Sequence, residues 1–216
     1  MSKDTKNDAP VTETGETAAK KNKMKPLSGK TLRLTESALM VALSAILSLF
    51  AVIQFPFGGS VTLFSQVPIV IISYRYGCKW GMFSGLALAL IELLTGLGNF
   101  SYVTGIGAYL IVALADYIIP FSMLGLGGIF RKAIKSQVGA LAAGSALVSL
   151  IRFLCHFVSG VTVWSGYAPS STWQAIAKYA FVYNGSYMLP EMLITILGAC
   201  LIGKFTDLSK EKIFSK

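Results

Sequence analysis

Long apolar runs separated by short polar segments constrain the fold of this chain more than any other feature. Six runs cover approximately residues 34–55, 61–73, 81–97, 105–129, 138–163 and 177–202. A helix needs about 20 apolar residues to cross the hydrocarbon core of a bilayer. Only 13% of the residues are charged, which is about half the share found in soluble domains. The chain is therefore predicted to be an all-α integral membrane protein with six transmembrane helices in the lipid bilayer.

The Lys and Arg residues are concentrated in alternate segments between these runs. Of the 19 Lys and Arg residues, 17 lie in the first 33 residues, in the turns 74–80 and 130–137, or near the C-terminus. The other two are Arg152 and Lys178. The remaining connecting segments contain none. Positive residues mark the cytoplasmic side of membrane proteins, so both termini are predicted to be cytoplasmic. Despite the net charge of +9, short clusters of this kind do not form a nucleic-acid-binding face.

The ends of the chain differ in composition from the apolar centre. Residues 1–30 are mostly polar and charged, and a segment with so little to bury is predicted to be a disordered cytoplasmic tail. A signal peptide is not expected, because its apolar region would stand nearer the start. The predicted organisation is this tail, a six-helix membrane domain over 31–205, and a second cytoplasmic tail over 206–216.

Among the ionisable side chains of the apolar runs, five are candidates for a functional role: Glu92, Asp116, Arg152, His156 and Glu191. Such groups are costly at membrane depth and usually have functional or paired roles. In the predicted orientation, Asp116 lies near mid-depth, and most of the other polar groups fall in the outer half. We therefore predict a site that opens to the outside. Alternatively, Arg152 forms a buried structural ion pair with Asp116, Glu92 or Glu191.

Four residues of the fifth run recur at helical spacing. Arg152, His156, Gly160 and Trp164 follow one another every four residues, so they lie along one face of a helix. A cation, the single histidine, a residue without a side chain and an indole on one face indicate the wall of a pocket. A tryptophan near the membrane surface is more commonly an interface anchor, and that simpler explanation suits Trp173.

The sequence carries no motif that indicates an enzyme. It contains no Gly-rich loop of the kind that binds the phosphates of ATP. Cys78, Cys155 and Cys200 are far apart and indicate neither a disulfide framework nor a metal site. Cys155 and His156 are adjacent, so on a helix they point about 100° apart and cannot act together as nucleophile and base. We predict no catalytic activity, no cofactor and no metal.

Several segments together suggest a family. They are L-T-E-S-A-L-M-V-A-L-S-A in the first run, A-D-Y-I-I-P-F-S-M-L-G-L-G-G-I-F in the fourth, and H-F-V-S-G-V-T-V-W-S-G-Y followed by K-Y-A-F-V-Y-N-G. In these segments the chain resembles the thiamine-specific substrate-binding (S) components of energy-coupling factor (ECF) vitamin transporters. The resemblance covers about residues 34–204. It implies high-affinity binding and uptake of thiamine across the bacterial cell membrane.

The resemblance also assigns residues to the thiamine site. Seven positions match the family's ligand contacts: Asp116, Tyr117, His156, Gly160, Trp164, Tyr179 and Asn184. The family often has Glu where this chain has Asp116. Some members carry a lid tryptophan in the first external loop, whereas this chain has Phe57-Gly58-Gly59-Ser60 there. Phe55 or Phe57 could replace that tryptophan.

The chemistry of thiamine, a cation with two flat rings, agrees with these assignments. Trp164 can stack on a ring and attract the charged thiazolium, and Asp116 supplies the compensating charge. Tyr179, Asn184 and His156 can pair the aminopyrimidine, whose polar edge needs partners in a buried site. Gly160 would let a ring approach the backbone.

The resemblance further implies partner subunits. Ala38 and Ala42 match the small-residue element through which S components dock on the ECF transmembrane coupling subunit, which is joined to two ATPase subunits. Two alternatives stay open. One is an S component for another vitamin or a thiamine precursor. The other is a stand-alone transporter coupled to protons through Asp116 and His156, although the absence of internal repeats argues weakly against it.

Overall fold

The α-helix is the main element of the computed structural model, which describes residues 29–208. We label the helices in chain order: α1 Gly29–Leu49, α2 Val67–Tyr76, α3 Cys78–Thr95, α4 Ile106–Lys132, α5 Gln137–Thr162 and α6 Trp173–Phe205. All except α2 are long and apolar enough to cross a membrane. The helical membrane architecture is thus confirmed. Most of both predicted tails lies outside the described residues.

The second apolar run differs from a spanning helix. α2 has 10 residues and rises about 15 Å, roughly half the thickness of the hydrocarbon core. A hairpin precedes it, in which strand β1 (Ala51–Gln54) pairs antiparallel with strand β2 (Ser60–Thr62). The prediction of helix up to residue 55 and again from residue 61 is therefore wrong, and the all-α description needs this correction. Short apolar runs have no periodicity that separates helix from strand.

The hairpin turn depends on its Pro and Gly residues. Pro56 begins a single 3₁₀ turn, and Phe57 and Gly58 follow with φ angles of 64° and 95°. Gly58 adopts this left-handed conformation freely, whereas it costs Phe57 about 1–2 kcal/mol. The turn points toward the segment between α3 and α4, because the Asn99 side chain lies where a Cβ of Gly58 would be. The loop predicted over 55–60 thus corresponds to this turn.

α2 lies at the centre of the main apolar core. Its residues from Val67 to Arg75 are all buried, because α1, α3, α4, α5 and α6 pack around it. Glycines bring the helices close together at this end of the bundle. A Cβ on Gly125 of α4 would collide with the main chain of Gly81 and Met82 in α3, and one on Gly144 of α5 would collide with the main chain of Gly127.

The segments rich in Lys and Arg meet at this closely packed end, which we call the basic end. Arg75 Nε lies 2.9 Å from Glu36 Oε1. Arg131 donates hydrogen bonds of 3.0 and 2.9 Å to the carbonyl groups of Tyr74 and Arg75. The segments without Lys or Arg meet at the opposite end, where they surround a cavity. Helix bounds differ from the predicted ones by a few residues, except around the hairpin.

Candidate ligand-binding site

A cavity of about 310 Å³ opens between the hairpin and the ends of α1, α3, α4, α5 and α6. Small-molecule sites usually have volumes from about 300 to 1,000 Å³. All seven residues assigned to the site from the sequence line this cavity: Asp116, Tyr117, His156, Gly160, Trp164, Tyr179 and Asn184. They come from α4, α5, the turn after α5, and α6, so the fold brings together positions up to 68 apart in the sequence. Their contact with a ligand stays a prediction.

Asp116 is the centre of a polar cluster on one wall of the cavity. Its Oδ1 lies 3.1 Å from His156 Nδ1, and its Oδ2 accepts hydrogen bonds from Ser159 Oγ at 2.7 Å and Trp164 Nε1 at 3.1 Å. α4 is π-helical over Val112–Ile118, and such widened turns are frequent at functional sites. The cluster fixes the orientation of both the imidazole and the indole.

A second set of hydrogen bonds connects α5 with α6 beside this cluster. Asn184 Nδ2 donates to the carbonyl of His156 at 3.3 Å and to that of Ala180 at 2.8 Å, while Tyr187 donates to Asn184 Oδ1 at 2.7 Å. His156 Nε2 is buried without a hydrogen-bond partner among the described residues. The imidazole thus has one nitrogen on Asp116 and the other available to a ligand.

The Tyr117 hydroxyl is already engaged. It donates to the Gly96 carbonyl at 3.2 Å and accepts from Asn99 Nδ2 at 2.8 Å. Its ring stacks on Phe100 with a centroid distance of 6.2 Å. Tyr117 therefore ties α4 to the segment after α3, and it lines the cavity through its ring.

Gly160 lies where α5 and α6 approach each other. A Cβ at this position would stand 2.9 Å from Ala180 Cβ and 3.2 Å from Asn184 Nδ2. The close contact between the two helices therefore needs a glycine here, and the room that Gly160 would give to a ligand ring stays a prediction.

Aromatic side chains cover the outer side of the cavity. The Phe57 ring lies 5.9 Å from Trp164, 4.2 Å from Tyr167 and 5.3 Å from Tyr102, measured between ring centroids. The hydroxyl of Tyr183 donates to the Pro56 carbonyl. The hairpin turn thus covers Trp164, which is one of the predicted ligand contacts.

Glu191 is buried away from the cavity. Its carboxylate accepts hydrogen bonds from the Thr62 main chain at 2.6 Å and hydroxyl at 2.7 Å, from Gln66 Nε2 at 3.0 Å and from Ser65 Oγ at 3.4 Å. All these partners lie at the end of β2 or between β2 and α2. Glu191 therefore has a structural role, and it does not pair with Arg152. Nor does Arg152 form a salt bridge with any other described carboxylate.

Sequence reasoning missed Ser159 and Asn99. Ser159 precedes Gly160 and lies three residues after His156, so helical spacing could have placed it on the pocket face. Asn99 lies in a connecting segment and had no such signal. Within residues 29–208, no group of three or more His, Cys, Asp or Glu side chains is arranged to hold a metal ion. Cys78, Cys155 and Cys200 are free thiols.

Comparison with known proteins identifies the family. Residues 34–209 match the family described as "Thiamine transporter protein (Thia_YuaJ)". The chain belongs to this family. The resemblance seen in the sequence is thereby confirmed at the level of the family.

Individual members agree with this assignment. The thiamine transporter ThiT of Bacillus subtilis is 30% identical over 186 residues, which are 81% of this chain and 92% of that protein. ThiT of Lacticaseibacillus paracasei is 27% identical over 144 residues, or 62% of this chain and 68% of that protein. A solved structure of ThiT from Listeria monocytogenes has the same fold, with a TM-score of 0.67 at 22% identity, and the match covers 82% of this chain and 96% of that one. Like these relatives, this member of the family is a multi-pass protein of the bacterial cell membrane.

Proposed function

We propose that this chain binds thiamine at the outer face of the cell membrane, as the substrate-capture subunit of an ECF transporter. The observation that carries the proposal is the Asp116 carboxylate, held by three donors in a cavity lined with aromatic rings. A carboxylate beside an indole suits a flat organic cation, because the charge is compensated while the ring offers its negative face. The family to which the chain belongs supports thiamine as that cation.

Each half of thiamine has a complementary part of the cavity. The thiazolium would lie near Asp116 and Trp164, where charge and stacking act together. The aminopyrimidine carries donors and acceptors that need partners after burial. His156 Nε2 lacks a partner among residues 29–208, and Tyr179 and Asn184 line the same cavity.

Phe57 is proposed to cover the bound ligand in place of the family's lid tryptophan. Its ring already lies against Trp164 and Tyr167, whereas Phe55 packs on Tyr183 and Tyr187 farther along α6. A ring at the Phe57 position could lie on one side of the ligand with Trp164 on the other. The left-handed conformation of Phe57 suits a turn that rearranges when a ligand enters.

We also propose that the chain crosses the membrane six times with both termini in the cytoplasm. α1 leads from the basic end to the cavity, and α2 returns to the basic end after the hairpin. Glu191, near the middle of α6, binds the β2–α2 junction, so this non-helical stretch extends to mid-depth. Irregular backbone is tolerated there only where protein satisfies it or where it lines a cavity, and the hydrogen bonds to Glu191 meet the first condition.

The proposed docking surface for the coupling subunit lies on α1. Ala38 and Ala42 are exposed, whereas Ser37 and Ser44 on the same helix are buried against the bundle. Small exposed residues let another helix approach closely. The sequence contains no ATP-binding loop, so the energy would come from two ATPase subunits through this contact.

Titration of the purified full-length protein with thiamine, followed by tryptophan fluorescence, tests the binding proposal. We expect saturable quenching that disappears in Trp164→Phe and persists in Trp173→Phe, because Trp164 lines the cavity and Trp173 is exposed. Absence of thiamine binding by the wild-type protein would refute the proposed function. Tighter binding of riboflavin or biotin would favour another vitamin as the substrate.

A double substitution tests the docking surface. Ala38→Trp combined with Ala42→Trp should abolish thiamine uptake by cells and leave thiamine binding to the isolated protein unchanged. Ala87→Trp is the matched control, because Ala87 is an exposed alanine on α3. Normal uptake by the double variant, or loss of uptake in the control alone, would contradict the assignment.

The His156–Asp116 pair also fits a stand-alone transporter that moves protons with its substrate. Uptake in cells that lack the ECF ATPase subunits separates the two mechanisms. The S-component proposal expects no uptake there, and it expects that a proton ionophore has no direct effect when ATP is maintained.

A further inference from the structure

Arg33 and Trp80 form a charged and aromatic pair at the basic end, away from the ligand cavity. The guanidinium of Arg33 on α1 lies 4.1 Å from the centre of the Trp80 ring on α3, a distance at which cation–π attraction acts. Trp80 Nε1 donates a hydrogen bond of 2.7 Å to the hydroxyl of Ser37, one turn further along α1. The indole is thus fixed from two sides where α1 meets α3, and it holds the guanidinium against its face.

The described residues do not balance the positive charge of Arg33. Its Nε atom is buried without a hydrogen-bond partner, and it forms no salt bridge with a described carboxylate. The acid one turn further along α1 is Glu36, which is already paired with Arg75 at 2.9 Å. Lys30, one turn before Arg33, and Lys79, at the start of α3, are both exposed. This part of the basic end therefore attracts an anion.

The pair lies at the depth where lipid headgroups meet the ends of spanning helices. Arg33 is the fifth residue of α1 and Trp80 is the third residue of α3, so both lie within about 6 Å of a helix end. Both helices are long and apolar enough to cross a membrane, and tryptophan is favoured at the membrane surface. Phe83 follows one turn deeper on α3. It is 63% exposed, and its ring centroid lies 5.8 Å from that of Trp80. A lipid headgroup at Arg33 would thus leave the acyl chain beside an exposed aromatic ring.

The pair is on a different side of α1 from the proposed docking surface. Arg33 and Ser37 face α3, because both contact Trp80. Successive residues of an α-helix are about 100° apart, so Ala38 is turned about 140° from Arg33, and Ala42 about 180°. A subunit that docks on these two alanines therefore lies across the helix from Arg33. This separation favours a lipid over an acidic segment of the coupling subunit as the anion.

We propose that Arg33, Trp80 and Phe83 form a binding site for an anionic phospholipid. A guanidinium binds a phosphate through two parallel hydrogen bonds, and the contact with the indole fixes the plane of the guanidinium. Phosphatidylcholine carries the same phosphate, but Lys30 and Lys79 disfavour its ammonium group. None of these residues lines the cavity. The inference therefore goes beyond ligand capture and does not depend on the identity of the vitamin.

Quenching of Trp80 fluorescence by brominated lipids tests the proposal. The full-length chain has three tryptophans, so Trp164→Phe combined with Trp173→Phe leaves Trp80 as the only indole. This Trp80-only protein is placed in phosphatidylcholine vesicles that contain brominated phosphatidylglycerol or brominated phosphatidylcholine with the same acyl chains. We expect phosphatidylglycerol to bind beside Trp80 about fivefold more tightly, which is roughly the effect of one Arg or Lys at a membrane surface. The preference should shrink at about 1 M salt. Equal quenching by the two lipids would overturn the proposal.

Substitutions in the Trp80-only protein show whether Arg33 is responsible. Arg33→Gln should reduce the preference for phosphatidylglycerol to less than about twofold, because the charge that faces the phosphate is lost. Arg33→Lys should keep about two- to threefold, because it retains the charge without the planar fork of donors. Lys204→Gln is the matched control. Lys204 is an exposed cation of the basic end, but it lies on α6, which packs mainly against α5. The preference should stay at about fivefold there.

The remaining outcomes are also decisive. If the preference persists in Arg33→Gln, or falls as far in Lys204→Gln, general attraction of lipid to the basic end explains it and the site is refuted. If the Trp80-only protein shows no lipid preference while Arg33→Gln abolishes uptake by cells, Arg33 faces a partner subunit and the lipid proposal is wrong. Should Arg33→Gln fail to fold, the comparison of the two lipids, its salt dependence and Lys204→Gln still decide the proposal.

Discussion

The basic end of the bundle is closely packed, whereas the opposite end encloses a cavity. The two ends also differ in the partners of their buried polar groups. At the basic end, two polar contacts join different helices: Arg75 pairs with Glu36, and Ser73 Oγ accepts from the Gly128 main chain at 2.8 Å. At the cavity, four lining atoms of Glu92, Arg152 and His156 have no partner within residues 29–208. Unsatisfied buried groups are costly, and a ligand that enters the cavity can complete those that line it.

Two buried carboxylates show the same contrast. Glu191 is enclosed by donors from the β2–α2 junction and lies outside the cavity lining. Asp116 is held by three donors but lines the cavity, where its charge remains available. The sequence does not distinguish them, because both are single acids in apolar runs. The folded structure distinguishes them, because only Asp116 lines the cavity.

The largest effect is expected at the packed end. Gly144→Ala should destabilise the protein by about 3 kcal/mol, because the new Cβ would meet the main-chain carbonyl of Gly127, which cannot move aside as a side chain would. Gly107→Ala is the control, since no atom lies within 4 Å of the added Cβ there. Thermal unfolding in detergent measures both. An equally stable Gly144→Ala variant would show that this end is less tightly packed than the structure indicates.

At the cavity, Asp116→Asn should weaken thiamine binding by about 2 kcal/mol, which is typical of a lost charged partner. The loss should be smaller for a neutral analogue in which an uncharged aromatic ring, joined through carbon, replaces the thiazolium. Titration calorimetry with both ligands measures the difference. Equal losses would mean that Asp116 acts by holding His156 and Trp164 in place and not through its charge.

Trp164→Ala should weaken thiamine binding by about 1–2 kcal/mol through lost stacking and cation–π attraction. The unfolding temperature should change little, because this residue belongs to the cavity end. Trp173→Ala, which removes an exposed indole, should leave the affinity unchanged. A larger loss of affinity in Trp173→Ala than in Trp164→Ala would place the ligand elsewhere.

The smallest effect is expected for Glu191→Gln, which should lower stability by about 1 kcal/mol. The amide keeps one acceptor oxygen but turns its NH₂ group toward donors of Thr62 or Gln66. Thiamine affinity should change less than twofold. A loss of affinity as large as that in Asp116→Asn would show that the two carboxylates act as one site and would remove the contrast between them.

Much of the candidate site could be predicted from the sequence. His156 and Gly160 recur at helical spacing, so they had to share a face once α5 formed. The prediction that Trp164 continues this helical face is wrong, because α5 ends at Thr162 and Trp164 begins the 3₁₀ turn that follows. The family resemblance added Asp116, Tyr117, Tyr179 and Asn184, and all of these line the same cavity. Asn99 and Phe57 lie in irregular segments, where spacing carries no information about direction. Their positions depend on contacts with Tyr117 and Trp164 that only the folded chain makes.

The sequence by itself determined that this chain is a helical membrane protein, because apolar length and clustered positive charge act locally and need no tertiary contact. It also indicated the face of α5 that carries His156 and Gly160 of the candidate site. Only the tertiary structure decided that residues 51–62 form a hairpin, because an apolar stretch of this length is compatible with helix and strand until its neighbours are present. It likewise decided the different surroundings of Glu92, Asp116 and Glu191, since long-range packing determines which donors reach a buried acid.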